Sequence, residues 1–291
     1  MQYDRKRTQI CTDSYTNAEN VAEIKKPSPF SLFNITGNIT KVVALYDLHF
    51  PHHVDTKPLL AFLGDFKPDE ILFGGDMWSL DIISHWNEID IRNTGFHGIR
   101  NALLKEAQDF QEEIDRFRNV RGVKRFTYIL GNHEDWLNQF ESKYPSFTNK
   151  EGLTIERLLR LNERGINVIP FCGSYRLGKL CFVHGHEFGT ENPPKQALMR
   201  TKSNLVFGHH HSYKVWSWFS MSDELDKNIA VQVPCYCKMA PKYMKGSPNN
   251  WQNGFMTAIV KNKTGNFTQH VTLASPKGEF FSQIGREYVN H

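Results

Sequence analysis

One pattern limits this chain more than any other. Five short apolar runs each stop at a residue with an oxygen or imidazole side chain. "KVVALYD" (41–47) ends on Asp47, with His49 two residues on. "EILFGGD" (70–76) ends on Asp76, and "FTYILGNHED" (126–135) runs into Asn132 and His133. "KLCFVHGHE" (179–187) carries His184 and His186, and "SNLVFGHHH" (203–211) ends on His209, His210 and His211. Near-continuous apolar runs of this length read as strands buried on both faces, which is how parallel sheets are built.

Helical stretches separate the runs. "PLLAFLGDF" (58–66) reads as a helix with Gly64 as its weak point. Residues 101–118 place Leu103, Leu104, Ala107, Phe110, Ile114 and Phe117 at helical spacing, as for a face packed on a sheet. "TIERLLRL" (154–161) follows, with Thr154 as its cap. "INVIPF" (166–171) adds another strand. Alternating strands and helices predict a layered α/β fold. After residue 211 the pattern turns to strands joined by polar loops, in "YKVWSWFS", "NIAVQVP", "GFMTAIV" and "NFTQHVTLA". Residues 1–38 are polar and aperiodic and read as an N-terminal arm, leaving 39–291 as one domain.

In open α/β folds, ligands gather outside the carboxyl ends of the strands. Five such ends bearing Asp, Asn or His therefore converge on one place. A lone histidine at a strand end is more often structural, and five ends in one chain reverse that expectation. The donor types suit manganese, iron or zinc and are poor for a thiolate-rich structural zinc site. Seven groups, Asp47, His49, Asp76, Asn132, His184, His209 and His211, exceed one ion's need. Two ions about 3.5–4 Å apart that share a carboxylate would use them. The glycines before Asp76, Asn132 and His209 allow sharp turns there.

Bulk properties narrow the rest. No apolar run approaches the roughly 20 residues that span a bilayer, and the N-terminus lacks the apolar core of a secretory signal. A cytoplasmic protein without membrane partners is expected. The five cysteines, Cys11, Cys172, Cys181, Cys235 and Cys237, read as free thiols in a reducing compartment, and the C-x-C of Cys235 and Cys237 as packing rather than metal binding. A net charge of +4 permits an anionic partner without requiring one.

Taken in order, Asp47–His49, Gly75–Asp76, Gly131–Asn132–His133–Glu134, His184 and Gly208–His209–His210–His211 resemble the signature of the calcineurin-like metallophosphoesterases. The resemblance implies a four-layer α/β/β/α sandwich and a hydrolase of phosphoric esters. It implies that Asp47, His49, Asp76 and His211 hold one divalent metal ion. Asp76 then bridges to a second ion completed by Asn132, His184 and His209. Manganese is the first choice, with iron, zinc, nickel or magnesium as alternatives. His133 is not a ligand in that pattern and, with Asn132, is the catalytic candidate beside the phosphoryl group or the leaving oxygen.

Two departures matter. Many members continue the second block as G-D-x-x-D, with the later Asp orienting the catalytic histidine. Here Ser79 holds that place and Asp81 comes two residues late. The arginine of the phosphoprotein phosphatase branch is missing from Met77–Ser84. The expected substrate is therefore a phosphodiester of DNA, RNA or a nucleotide. A phosphomonoesterase on a small molecule or protein is the alternative, and a non-catalytic scaffold the lesser one. His186 is a candidate for the phosphate pocket. Arg92 and Arg100, in an insertion expected to border the site, are candidates for substrate contact, with a solvated loop as the competing reading. His52 and His53 line the site mouth or stand in solvent. Trp216 and Trp218 stack on bases or, more commonly for such a strand, pack in the core. His210 faces away from its neighbours if the segment is extended.

Overall fold

The computed structural model describes residues 37–84, 88–145, 147, 153–219, 227–239 and 249–290. The proposed arm thus lies outside the described residues except for its last two. Two sheets face each other. The first has the order β11-β10-β1-β2-β3-β4 and the second β5-β6-β7-β9-β8. In the first, β1 (Ile39–Leu45), β2 (Glu70–Phe73), β3 (Arg125–Ile129) and β4 (Asn167–Ile169) run parallel. β10 (Asn253–Lys261) and β11 (Phe267–Ala274) extend that sheet antiparallel. In the second, β6 (Leu180–Phe182), β7 (Asn204–Phe207) and β9 (Lys227–Gln232) run parallel. β5 (Tyr175–Leu177) and β8 (Lys214–Phe219) form its antiparallel edges. A short hairpin, β12 (Phe280–Phe281) with β13 (Glu287–Tyr288), closes the chain.

Alternate residues of the two sheets fill the space between them. Val42, Ala44, Tyr46, Leu72 and Ile129 from the first meet Leu180, Phe182, Val206 and Val231 from the second. Their opposite faces are covered by helices. On the first sheet lie α1 (Lys57–Phe66) and α2 (Glu88–Arg118), contributing Phe62, Ile99, Leu103, Phe110 and Phe117 to the larger core. On the second lies α5 (Pro193–Thr201), whose Ala197 and Leu198 pack on Cys181, Leu205 and Phe207. The result is the expected α/β/β/α sandwich, and no helix among the described residues is long and apolar enough to cross a membrane.

Several local expectations need correction. Of the α2 stripe, Leu104 is 43% exposed, one position off the buried face. The run 126–135 is not one strand, because β3 stops at Ile129 and α3 (Asn132–Lys143) begins within the Asn-His pair. The 154–161 helix is a single turn, α4 (Ile155–Leu158), although Thr154 does cap it by accepting from the Arg157 amide. Trp216 and Trp218 do not pack in the core. They stand 39% and 43% exposed on the edge strand β8. Cys181, Cys235 and Cys237 are free thiols but Cys172 is disulfide-bonded, so the all-thiol reading fails there.

Candidate metal centre

The parallel strands of both sheets end at one edge of the sandwich. Asp47 follows β1 by two residues, Asp76 follows β2 by three and Asn132 follows β3 by three. His184 and His209 follow β6 and β7 by two each. The backbone turns hard at these points. Asp47, His49, Asp76, His209 and His211 all have positive φ, between 51° and 66°. A left-handed conformation costs a residue with a Cβ on the order of 1–2 kcal/mol, and clusters of such residues mark functional sites. Gly75, before Asp76, turns as expected, with a φ of 101°. Gly131 and Gly208 instead serve close approach. A Cβ on Gly131 would lie 2.2 Å from Asp76 Oδ1, and one on Gly208 would lie 2.5 Å from Asp47 Oδ2.

Seven candidate ligands come together. Asp76 Oδ2 lies 3.2 Å from His184 Nε2, and His184 Nε2 lies 2.9 Å from Asn132 Oδ1. Asp76, His184 and His209 form one group able to hold an ion, and Asp76 also joins His49 and His133 in a second. His49 Nε2 faces His211 Nε2 at 3.2 Å, and Asp47 Oδ1 lies 3.5 Å from His211 Nε2. Asp47 Oδ2 accepts from the His209 amide. Asp47 Oδ1, His209 Nδ1 and His211 Nδ1 are buried without a hydrogen-bond partner. Converging imidazoles, a shared carboxylate and orphaned buried donor atoms fit divalent metal binding better than a solvated polar cluster.

The charges are strongly coupled. Burial works against the charged form of His184, but the Asp76 carboxylate outweighs it and pushes the imidazole up to about 10. Burial likewise opposes protonation of His211, and Asp47 overrides it, raising the ring to about 9. Burial pushes His49 and His209 well down, helped by neighbouring imidazoles. For Asp76, burial favours the neutral acid, yet His184 and His133 hold its carboxyl well below the usual range. Thus two carboxylates, Asp76 and Asp47, each hold one imidazole of the cluster.

His133 occupies the mouth. Its side chain is 18% exposed, and its Nε2 lies 3.9 Å from Asp76 Oδ2. Its ring sits 4.5 Å from His49 and 3.8 Å from Trp136. Nδ1 lies 2.7 Å from the Ser79 carbonyl oxygen. This backbone group takes the place of the missing Asp. Asp81 stands further out, accepting from Ser79 Oγ at 2.8 Å and pairing with His52 Nε2 at 2.7 Å.

The family model for calcineurin-like phosphoesterases matches residues 40–234. The chain belongs to the calcineurin-like phosphoesterase family. It is also 24% identical over 267 residues to the Gene 54 protein of Mycobacterium phage L5, covering 84% of this chain and 97% of that protein. The corresponding protein of phage D29 is 24% identical over 234 residues, covering 74% and 87%. Among solved structures, Vps29 of Chaetomium thermophilum aligns with a TM-score of 0.38 at 11% identity, over 86% of this chain and 95% of that one. Zinc-complexed Vps29 of Entamoeba histolytica aligns with a TM-score of 0.40 at 12% identity, over 80% and 92%.

The remaining sequence candidates divide. His186 lies beside the cluster, stacked on Phe171 at 4.4 Å and 6.0 Å from the His184 ring, with burial and His184 pushing it down to about 4. His210 lies outside the metal-ligand groups although it does not turn away from its neighbour, its ring being 5.0 Å from that of His209 and 6.4 Å from Phe207. The side chain of Arg92 lies outside the described residues. Arg100, on α2, has no hydrogen bond or ion pair to the cluster among the described residues. Three participants escaped sequence reasoning. Glu134 is buried and accepts from the amides of Asp76, Met77, Trp78 and Gly131 and from Tyr128 Oη. Trp251 packs edge-to-face on His211, with ring centroids 4.1 Å apart. Cys237 groups with His49 and His211. The Glu of the G-N-H-E block was the available signal for the first and the C-x-C of Cys235 and Cys237 for the third, whereas nothing in the sequence pointed to Trp251.

Proposed function

We propose that this chain is a phosphoester hydrolase with a dinuclear metal centre, built on the unit from residue 39 onwards. Asp47, His49, Asp76 and His211 hold one ion, and Asp76, Asn132, His184 and His209 the other. The observation that carries this reading is Asp76, which belongs at once to the His49 side and to the His184–His209 side of the cluster. Bound divalent cations supply Lewis acidity towards the phosphoryl oxygens and a hydroxide nucleophile at neutral pH.

The protein's own groups do the rest. The Asn132 side chain sits at the start of α3, beside His184, where its amide can donate to an equatorial phosphoryl oxygen. With Nδ1 donating to the Ser79 carbonyl, His133 presents Nε2 to the opening. As the imidazolium, it donates that proton to the leaving oxygen. Trp136 and His49 on either side hold the ring in place, so little orientation is left to arrange on substrate binding.

We assign the substrate to the phosphodiesters of nucleic acids or nucleotides. Exposed Trp216 and Trp218 on β8, with Lys195 Nζ 5.4 Å from the Trp216 ring, support this. Such aromatic and cationic surfaces bind bases without sequence preference. The test is turnover by metal-stripped protein reloaded with Mn²⁺. Bis-p-nitrophenyl phosphate, single-stranded DNA and cyclic nucleotides are expected to be cleaved faster than p-nitrophenyl phosphate. A preference for the monoester would replace the diesterase by the phosphomonoesterase reading.

A further inference from the structure

We propose that Cys237 is a thiolate ligand to the metal at the His49–His211 position, which turns that position towards zinc, iron or cobalt. The inference rests on the dinuclear reading above. A sixth strand end carries it. β9 runs parallel to β7 and ends at Gln232, and Cys237 follows five residues later, at the same edge as the other ligands. Its sulfur and the His49 and His211 ring nitrogens all lie within 4.8 Å of one another. That spacing suits three groups around one ion at the usual bond lengths of about 2.0–2.3 Å.

The backbone fixes this approach. The Tyr236 amide donates to the Asp47 carbonyl at 3.1 Å, and the Val54 amide returns to the Tyr236 carbonyl at 3.1 Å. The Lys238 amide donates to the His52 carbonyl at 2.8 Å, and Cys237 bridges to His53. The Cys237 segment is therefore stitched along the loop that carries His49. Asn253 Nδ2 anchors the Cys237 carbonyl from the other side at 2.6 Å. The neighbouring Cys235 thiol reaches both the Gln252 carbonyl, at 3.3 Å, and the Cys237 thiol, while only Cys237 groups with the two histidines. Both thiols are buried and free.

On ion uptake the Sγ–H bond breaks, the proton passes to solvent and the sulfur lone pair forms the metal bond, with no electron transferred. Thiolate favours borderline and soft ions over Mn²⁺ and Mg²⁺. Manganese, the first choice from the sequence, then gives way at this position.

The test is cobalt titration of the metal-stripped full chain, read by absorption. Wild type is expected to show visible d–d bands together with a near-ultraviolet sulfur-to-cobalt charge-transfer band. Cys237→Ser and Cys237→His lose the charge-transfer band and keep the d–d bands, whereas Cys235→Ser keeps both. Zinc affinity of Cys237→Ser falls by at least about tenfold. Visible bands without charge transfer in wild type overturn the thiolate ligand and leave the dinuclear centre standing. Charge transfer that survives Cys237→His and disappears in Cys235→Ser overturns it too. Failure to bind cobalt at all overturns both.

Discussion

His133 Nδ1 and the carbonyl oxygen of Ser79 lie 2.7 Å apart, so a backbone group orients the histidine at the mouth of the centre. The acid role follows from that contact. His133→Ala is expected to lower kcat by about 10²–10⁴, with the larger loss on substrates with poor leaving groups and no change in bound metal. Ser79→Ala, which keeps the carbonyl, is expected to leave kcat nearly intact. Equal losses across leaving groups in His133→Ala would remove proton donation from the account.

Glu134 holds the loops of Asp76 and Asn132 together. Five donors converge on its buried carboxylate, at 2.7–3.1 Å. Burial and the nearby Asp76 charge push its carboxyl up, and those donors offset them. Glu134→Ala strands the donors at about 1–3 kcal/mol each, against a typical domain stability of about 5–15 kcal/mol. Urea denaturation is expected to show a protein that is largely unfolded in buffer. Glu134→Gln keeps the shape but half the acceptor capacity, and is expected to fall between.

Gly131 tests close approach separately from stability. A Cβ there meets Asp76 Oδ1 at 2.2 Å and the Asp76 amide nitrogen at 2.3 Å. Its φ is an ordinary −92°, so alanine brings no backbone strain of its own. Gly131→Ala is expected to displace Asp76 and cost about 10²-fold in turnover, the scale of a 1 Å misplacement. Thermal unfolding monitored alongside is expected to shift far less than in Glu134→Ala.

The triple histidine separates by function. His209→Ala and His211→Ala are expected to abolish turnover of bis-p-nitrophenyl phosphate. His210→Ala is expected to retain most of it, because its ring lies 6.4 Å from Phe207 and belongs to none of the ligand groups. Loss of activity in all three alike would contradict the split.

Much of this architecture was readable from the chain. Apolar runs at 41–47, 70–76 and 203–211 marked buried parallel strands, because strands covered on both faces leave no polar alternation. The residues closing those runs marked the site, because parallel strands of both sheets deliver their ends to one edge. What stayed hidden depends on tertiary contact. The left-handed turns at Asp47 and His209 have no sequence signal in residues other than glycine. Trp216 and Trp218 looked like core because an edge strand and a central strand share one alternation. Cys237 looked like packing because its partners, His49 and His211, are 188 and 26 residues away in the chain. The Ser79 carbonyl was invisible because a backbone oxygen has no letter.

In the proposed centre Asp76 is shared by two metal ions. Metal content of dialysed protein, measured by mass spectrometry for wild type and Asp76→Asn, tests it most directly. Wild type is expected to carry two ions per chain and the variant at most one, with loss of diesterase activity. One ion in wild type, or two retained in an active Asp76→Asn, would contradict it.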